Sequence, residues 1–184
     1  MAVDLADIHA DHLAAILYRA EDDIDTLLAE FAMDLRRAGR RIGGIVQLNI
    51  KGDGGCRTGM RLTDLMTGSE IDISLPAGDA GSCKLDTGGL AEAAVAVQRA
   101  IADRSELVIV NKFSKQEAAG QGLRAELADA IAAGLPVLTA VPEKCLDAWK
   151  EFSGGIGIML PCRRQAIEQW WQALSRQRAG AAVA

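Results

Sequence analysis

A short polar segment that directly follows an apolar run carries the side chains best suited to chemistry. The run, Leu107–Val110, is mostly β-branched, which favours a strand buried on both faces. The polar side chains that follow it are Asn111, Lys112, Lys115, Gln116 and Glu117. Ligands of open α/β sheets bind at the carboxyl ends of the strands. Because ammonium and amide groups donate hydrogen bonds to oxyanions, this segment predicts an anion-binding pocket.

A second candidate segment lies in the long polar stretch 76–89. Polar stretches of this length within a domain are more often functional than mere spacers. The side chains predicted to reach the pocket from this stretch and from the preceding loop are Ser82, Cys83, Lys84, Asp86 and Arg57. A plainer interpretation stays open, in which Lys112 and Lys115 are solvated and Asn111 only caps the loop.

Charge and composition narrow the class of protein. The formal net charge of −5 argues against a broad nucleic-acid or membrane-binding surface, which needs clustered basic residues. No apolar run approaches the roughly 18 to 20 residues that cross a bilayer, and the first residues lack the pattern of a signal peptide. We therefore expect a cytoplasmic protein with a single domain over 1–178 and a flexible tail over 179–184. A homo-oligomer stays open.

The four cysteines predict neither a structural metal site nor a disulfide framework. Cys56, Cys83, Cys145 and Cys162 are widely spread, with no CxxC pair and no neighbouring histidine. Isolated thiols of this kind in a reducing compartment usually stay reduced, and many fill the core. We therefore predict no protein-bound metal.

The apolar periodicity predicts a mixed α/β fold. Period-2 or continuous apolar runs predict strands at 13–18, 43–50, 60–65, 70–74, 107–110, 136–141 and 156–160. Helical spacing predicts helices at 24–35, 90–101, 123–131, 144–152 and 163–178. Strands that alternate with helices indicate a parallel sheet, whereas 60–65 and 70–74 read as an antiparallel hairpin. The prediction is a three-layer α/β/α sandwich with a mainly parallel sheet and an antiparallel hairpin extension.

Several phrases of the sequence resemble a known family. The order of elements resembles the small cancer-related nucleoside triphosphatases of the P-loop fold over about residues 12–145. The phrases that carry this resemblance are Arg41-Ile-Gly-Gly-Ile, Leu62-Thr-Asp-Leu-Met-Thr-Gly68, Leu107-Val-Ile-Val-Asn and Gly134-Leu-Pro-Val-Leu-Thr-Ala-Val141. Ser82-Cys-Lys-Leu-Asp86 and Val110-Asn-Lys-Phe-Ser-Lys-Gln-Glu-Ala118 resemble more closely an uncharacterised bacterial family, domain of unknown function 2478. That resemblance implies a P-loop-type sandwich and an association with molybdenum-transport or nitrogenase genes.

Both nucleotide-binding motifs implied by the triphosphatase resemblance are degenerate. A working phosphate loop is glycine-rich and carries a lysine followed by Ser or Thr. The equivalent loop here runs from Arg19 to Thr26 without glycine or lysine, and Asp22 and Asp25 lie at the predicted helix start. The strand that should end in magnesium-binding acids ends instead at Asn111 and Lys112. We therefore do not expect hydrolysis by the standard route.

The leading hypothesis is a non-hydrolytic oxyanion-binding accessory protein of molybdenum metabolism. Its ligand would be a small oxyanion, molybdate or tungstate, bound between the segment after Val110 and the 82–86 loop. One alternative is a divergent nucleoside triphosphatase in which Thr26 and Glu117 support magnesium chemistry. A second alternative is a regulator that acts only through protein contacts and keeps a vestigial pocket.

Overall fold

The computed structural model describes residues 9–51, 57–75 and 84–181. Its strands are β1 Leu13–Tyr18, β2 Ile42–Lys51, β3 Arg57–Asp64, β4 Glu70–Asp72, β5 Ser74–Leu75, β6 Lys84–Leu85, β7 Leu107–Val110, β8 Val137–Pro142 and β9 Ile158–Pro161. Its helices are α1 Ile24–Arg37, α2 Thr87–Ala102, α3 Lys115–Ala118, α4 Arg124–Ala132, α5 Leu146–Ser153 and α6 Arg164–Ala181. Short 3-10 turns cover Ala10–His12 and Glu143–Cys145.

Seven strands form one mixed sheet in the order β4-β3-β2-β7-β8-β1-β9. The pairs β2/β7, β7/β8, β8/β1 and β1/β9 are parallel. The pairs β2/β3 and β3/β4 are antiparallel. The mainly parallel sheet with an antiparallel extension is therefore confirmed, and the small β5/β6 ladder lies outside it.

Helices cover both faces of the sheet, and the alternation of side chains along the strands explains why. In β1, Leu13 and Ala15 pack into the core that contains buried residues of α2, α4 and α5. Ala14 and Ile16 pack into the opposite core, which contains buried residues of α1 and α6. All four residues of β7 are buried, as expected of a central parallel strand covered on both faces. The predicted three-layer sandwich is thereby confirmed.

Several boundaries differ from the sequence-based prediction. Strand β3 begins three residues earlier than predicted, and the predicted strand 70–74 is divided into β4 and β5. The last strand begins at Ile158, two residues later than predicted, because Gly154, Gly155 and Gly157 have positive φ angles and form a turn before it. The stretch predicted as a loop to residue 89 already becomes helical at Thr87. No helix in the described part of the chain is long and apolar enough to span a membrane.

Candidate functional site

The N-terminus of α1 is capped by its own carboxylates. Asp23 is the N-cap residue, and its side chain accepts a hydrogen bond from the amide of Thr26 at 3.3 Å. Asp22 accepts a hydrogen bond from the amide of Arg19 at 2.7 Å. A helix N-terminus attracts phosphate through its first amides, and here the Asp23 carboxylate already accepts the amide of Thr26. The Arg19 side chain turns away to Glu143, with 2.8 Å between Nε and Oε1.

A buried ion pair joins the start of α1 to the end of β7. Lys112 Nζ lies 2.8 Å from Asp25 Oδ1, and the two side chains are only 17% and 8% exposed. The Lys112 ammonium also lies 5.6 Å from the centre of the Tyr18 ring, at the end of β1. The degenerate phosphate loop and the segment after β7 therefore meet in space, but Lys112 is already paired with the carboxylate of Asp25.

Two amide side chains also donate hydrogen bonds to Asp25. Asn111 Nδ2 donates to Asp25 Oδ1 at 3.1 Å, and Gln47 Nε2 donates to Asp25 Oδ2 at 3.4 Å. Asn111, which is 3% exposed, is joined to Lys112 by a cis peptide bond. Its Oδ1 atom is buried and has no hydrogen-bond partner among the residues that the structure describes. The carboxylate of Asp25 therefore accepts hydrogen bonds from one ammonium group and two amide groups.

Glu117 is a structural residue of the loop after β7. It is buried, its Oε2 accepts the amide of Ser114 at 2.9 Å, and its Oε1 accepts the amide of Leu123 at 3.1 Å. Ser114 and Glu117 thus form a capping box at the start of α3. Both carboxylate oxygens of Glu117 therefore already accept backbone amides, and its predicted contact with a ligand or magnesium stays a prediction.

A cleft of ≈ 300 Å³ opens at the carboxyl ends of β1 and β7, beside this ion pair. Its polar lining residues are Tyr18, Gln47, Asn111, Lys112, Ser114, Gln116 and Glu117. Its apolar lining residues are Met60, Leu62, Ile73, Leu90 and Leu123. The cleft lies where the topology of an open α/β sheet places a ligand.

The predicted ligand residues that the structure describes do not all line the cleft. Its lining includes Asn111, Lys112, Gln116 and Glu117, whereas Lys115 is solvent-exposed and is not among the described residues that line it. Asp86 caps α2, since its Oδ1 accepts the amide of Gly88 at 3.0 Å. Asp86, which the sequence predicts to reach the pocket, therefore acts as the N-cap of α2.

The remaining predicted residues lie wholly or partly outside the described residues. Ser82 and Cys83 fall between the second and third described ranges. Arg57 and Lys84 begin β3 and β6 with described backbone only. Their predicted contribution to the pocket stays a prediction. Sequence reasoning missed Tyr18 and Gln47. Tyr18 is a polar residue at the end of β1, and Gln47 is a polar residue within the apolar run of β2, so both signals are present in the sequence.

The thiol beside the degenerate phosphate loop is unreactive. Burial, together with the nearby carboxylates of Asp22 and Asp23, raises the pKa of Cys162 to about 11. A thiol with such a pKa stays protonated near neutral pH and is a poor nucleophile and metal ligand. Cys145 is buried, as predicted for a core residue, and both are free thiols. No group of three or more His, Cys, Asp or Glu within the described ranges is arranged to hold a metal ion.

Comparison with known proteins agrees with this fold and with the resemblance drawn from sequence. A family model described as "Protein of unknown function (DUF2478)" matches residues 13–170. The solution structure of a human cancer-related nucleoside triphosphatase superimposes with a TM-score of 0.58 at 15% identity, over 91% of this chain and 96% of that chain. At this identity the likeness establishes the fold alone.

A much closer relative in sequence is a longer protein. "Molybdenum import ATP-binding protein ModC 2" from Bradyrhizobium diazoefficiens (strain JCM 10833 / BCRC 13528 / IAM 13628 / NBRC 14792 / USDA 110) is 64% identical over 173 residues. The match covers 94% of this chain and 19% of the relative. The chain thus spans about a fifth of the length of the curated protein that it matches.

Proposed function

We propose that this chain, which belongs to the family described as "Protein of unknown function (DUF2478)", is a non-hydrolytic, oxyanion-binding accessory domain of molybdenum import. The observation that carries the proposal is the buried ion pair between Lys112 and Asp25. It lies at the two positions where a triphosphatase of this fold binds phosphate and magnesium. The proposal has three parts: the absence of hydrolysis, the binding of an anion, and the link to molybdenum.

The charges at these two positions are the reverse of those that hydrolysis needs. A P-loop ends in a lysine followed by Ser or Thr, and its magnesium is held by that hydroxyl and by an acid at a strand end. Asp25 directly precedes Thr26, in the place of the lysine, and Lys112 follows β7, in the place of the acid. An ammonium group repels magnesium, and a carboxylate at the helix start repels a triphosphate.

The alternative of a divergent triphosphatase is weakened by the contacts of its two proposed residues. Thr26 would need a carboxylate partner for magnesium, and Glu117 was the candidate. Both oxygens of Glu117 accept backbone amides, from Ser114 and Leu123. Recruiting Glu117 to a metal would leave two amides without their acceptor, at a cost of roughly 1–3 kcal/mol each if they stay buried.

Anion binding is supported by the way that the cleft presents Lys112. The ammonium group has three protons, and the bond to Asp25 uses one of them. Its side chain remains 17% exposed beside the cleft, and the amide of Gln116 lies on the same lining. Because Asp25 offsets the lysine charge, an oxyanion would be held mainly by hydrogen bonds rather than by net charge. Molybdate and tungstate carry four acceptor oxygens and suit such a site.

The link to molybdenum is supported by the relative. A protein named for molybdenum import and ATP binding contains a segment 64% identical to this chain, as 19% of its length. We infer that the chain acts beside an ATP-binding import protein, which would supply the hydrolysis that the Asp25–Lys112 site does not support. Bound oxyanion would then report molybdenum supply to that protein.

Isothermal titration calorimetry on one metal-free preparation tests the proposal. Molybdate, tungstate, sulfate and ATP with magnesium are titrated into the wild-type chain, the Lys112→Ala variant and the Lys144→Ala control. Lys144 is exposed and lies outside the cleft lining, so its loss changes net charge equally without touching the site. We expect molybdate or tungstate to bind the wild type and the control, with at least a tenfold loss in Lys112→Ala.

Three outcomes would overturn the proposal. Magnesium-dependent ATP turnover would favour the triphosphatase alternative. Equal molybdate affinity in Lys112→Ala and the wild type would place the anion elsewhere. An absence of heat for all four solutes would favour a regulator that acts only through protein contacts. A circular dichroism spectrum of each variant shows whether a lost signal reflects binding or unfolding.

A further inference from the structure

The cleft beside Lys112 is larger and more apolar than a bare tetrahedral oxyanion requires. Its volume of ≈ 300 Å³ lies at the lower end of the roughly 300–1,000 Å³ typical of small-molecule pockets. Most of its polar lining residues come from the end of β1 and from the segment after β7. Its apolar lining residues, which we call the apolar wall, are Met60, Leu62, Ile73, Leu90 and Leu123. An inorganic oxyanion bound at Lys112 would leave this apolar wall in contact with water.

A buried acceptor in the same cleft requires a donor. Asn111 is 3% exposed and lines the cleft, and its Oδ1 has no partner among the described residues. The orientation of its amide group is fixed, because the carboxylate of Asp25 can only accept and therefore faces Nδ2. A buried carbonyl without a partner costs about 1–3 kcal/mol. Molybdate and sulfate are fully deprotonated near neutral pH and have no proton to donate to it.

We infer that this cleft also binds small organic anions that carry their own hydroxyl or amino donor, and that it binds them more tightly than a bare oxyanion. The oxyanion group of such a ligand lies beside Lys112, its donor faces Asn111 Oδ1, and its carbon skeleton contacts the apolar wall. This inference rests on the proposed anion-binding role of the cleft and specifies the class of ligand. A phosphate ester and a carboxylate share this chemistry, so the experiment includes both.

Matched ligand pairs isolate the contribution of the donor. Glycerol 3-phosphate is compared by calorimetry with propyl phosphate, and glycerate is compared with propionate; each pair shares an anionic group and chain length. Molybdate serves as the bare oxyanion. We expect at least one hydroxylated ligand to bind about tenfold more tightly than its unhydroxylated partner, the equivalent of one good hydrogen bond. The pair that shows the difference identifies phosphate or carboxylate as the anionic group.

Two variants assign that difference to the two features of the cleft. Asn111→Leu removes the acceptor and should abolish the hydroxyl preference. Leu90→Ala shortens the apolar wall without touching the polar network, and it should weaken the organic ligands several-fold while leaving molybdate unchanged. Val95→Ala is its control, because Val95 lies on the same helix and is 57% exposed. Leu90→Ala keeps the test decisive if Asn111→Leu does not fold.

The outcomes separate this inference from the proposed function. Molybdate binding that needs Lys112, without a hydroxyl preference in either pair, would overturn the inference and leave the proposed function in place. A hydroxyl preference that persists in Asn111→Leu, or organic binding unaffected by Leu90→Ala, would also overturn it. If none of the five ligands binds the wild-type chain, this inference fails, and the proposed function fails with it when tungstate does not bind either.

Discussion

Removing the ammonium group of Lys112 should destabilise the whole domain, because this group balances a buried carboxylate. In Lys112→Met the side chain keeps a similar length and loses its charge. Asp25, which is 6% exposed, then loses its contact with the Lys112 ammonium group at 2.8 Å and keeps those with the amide groups of Asn111 and Gln47 at 3.1 and 3.4 Å. The shortest and only charged contact of the three is the one that disappears.

The magnitude follows from burial. Breaking one partner of a fully buried ion pair costs about 3–5 kcal/mol, whereas an exposed pair is worth about 0–1 kcal/mol. The remaining amide donors and the 17% exposure of Lys112 place this pair below the fully buried range. We therefore expect Lys112→Met to lower the free energy of unfolding by about 2–3 kcal/mol. Asp25→Asn should cost less, about 1–2 kcal/mol, because the released ammonium can reach water at the cleft.

The double variant Asp25→Asn/Lys112→Met distinguishes an interaction from two separate losses. It leaves no buried charge at the site, so its cost should fall short of the sum by about 1–3 kcal/mol. Urea unfolding followed by tryptophan fluorescence measures all four proteins, since Trp149, Trp170 and Trp171 are buried. The urea concentration at the unfolding midpoint should shift, while the slope of the free energy of unfolding against urea concentration should stay constant.

An exposed lysine provides the control for this cycle. Lys150 is 62% exposed and lies 4.0 Å from the exposed Asp147, so Lys150→Met should change stability by less than about 0.5 kcal/mol. Additive costs in the double variant, within about 0.3 kcal/mol, would refute the coupling that the structure implies. So would a cost for Lys112→Met no larger than that of the control.

Two further predictions concern the surroundings of the cleft. Gly122 has φ +62°, and a Cβ there would overlap Oε1 of Glu117, whereas Gly154 has φ +61° with open space around it. Gly122→Ala should therefore lower the free energy of unfolding by at least about 1 kcal/mol more than its control Gly154→Ala. Equal urea midpoints for the two variants would contradict the buried role of Glu117. The raised pKa of Cys162, about 11, keeps its thiol protonated at pH 8, and the thiolate fraction increases only as the pH approaches that value. Iodoacetamide labelling followed by peptide mass spectrometry should therefore find Cys162 alkylated far more slowly than free glutathione at pH 8, and a matching rate would refute the raised pKa.

The fold could be predicted from sequence because its signals are local and repeated. The short, mostly apolar runs of β7 and β8 are typical of central strands, and the acidic residues before Ile24 mark the start of α1. The parallel strands are joined through helices in the β-α-β pattern, whose connections are nearly always right-handed. The role of Asp86 could not be assigned from sequence, because a helix N-cap residue and a ligand-binding residue use the same side-chain types.

The candidate site was predicted only in part, because its central contact joins residues 87 positions apart in sequence. Sequence identified Asp25 in a degenerate loop and Lys112 at a strand end, but nothing local indicates that they form one ion pair. The same limit applies to Glu117, which looked available until its two backbone partners were known. Sequence spacing reports which groups a segment offers, and the fold determines which of them are already used.

The ion pair also explains why a single substitution would not restore the charges that a triphosphatase of this fold uses. Lys112→Asp alone would remove the ammonium group that lies 2.8 Å from Asp25 Oδ1 and would add a second carboxylate on the same side of the site, and like charges that share a site disfavour each other. Asp25→Lys alone would bring two ammonium groups together. Each single reversal is therefore unfavourable, and both charges must change in concert. Even the double reversal would leave the amides of Thr26 and Arg19 bound to Asp23 and Asp22, without a glycine-rich loop to hold phosphate. This dependence of each charge on the other is consistent with the proposed role of the cleft, which does not involve hydrolysis.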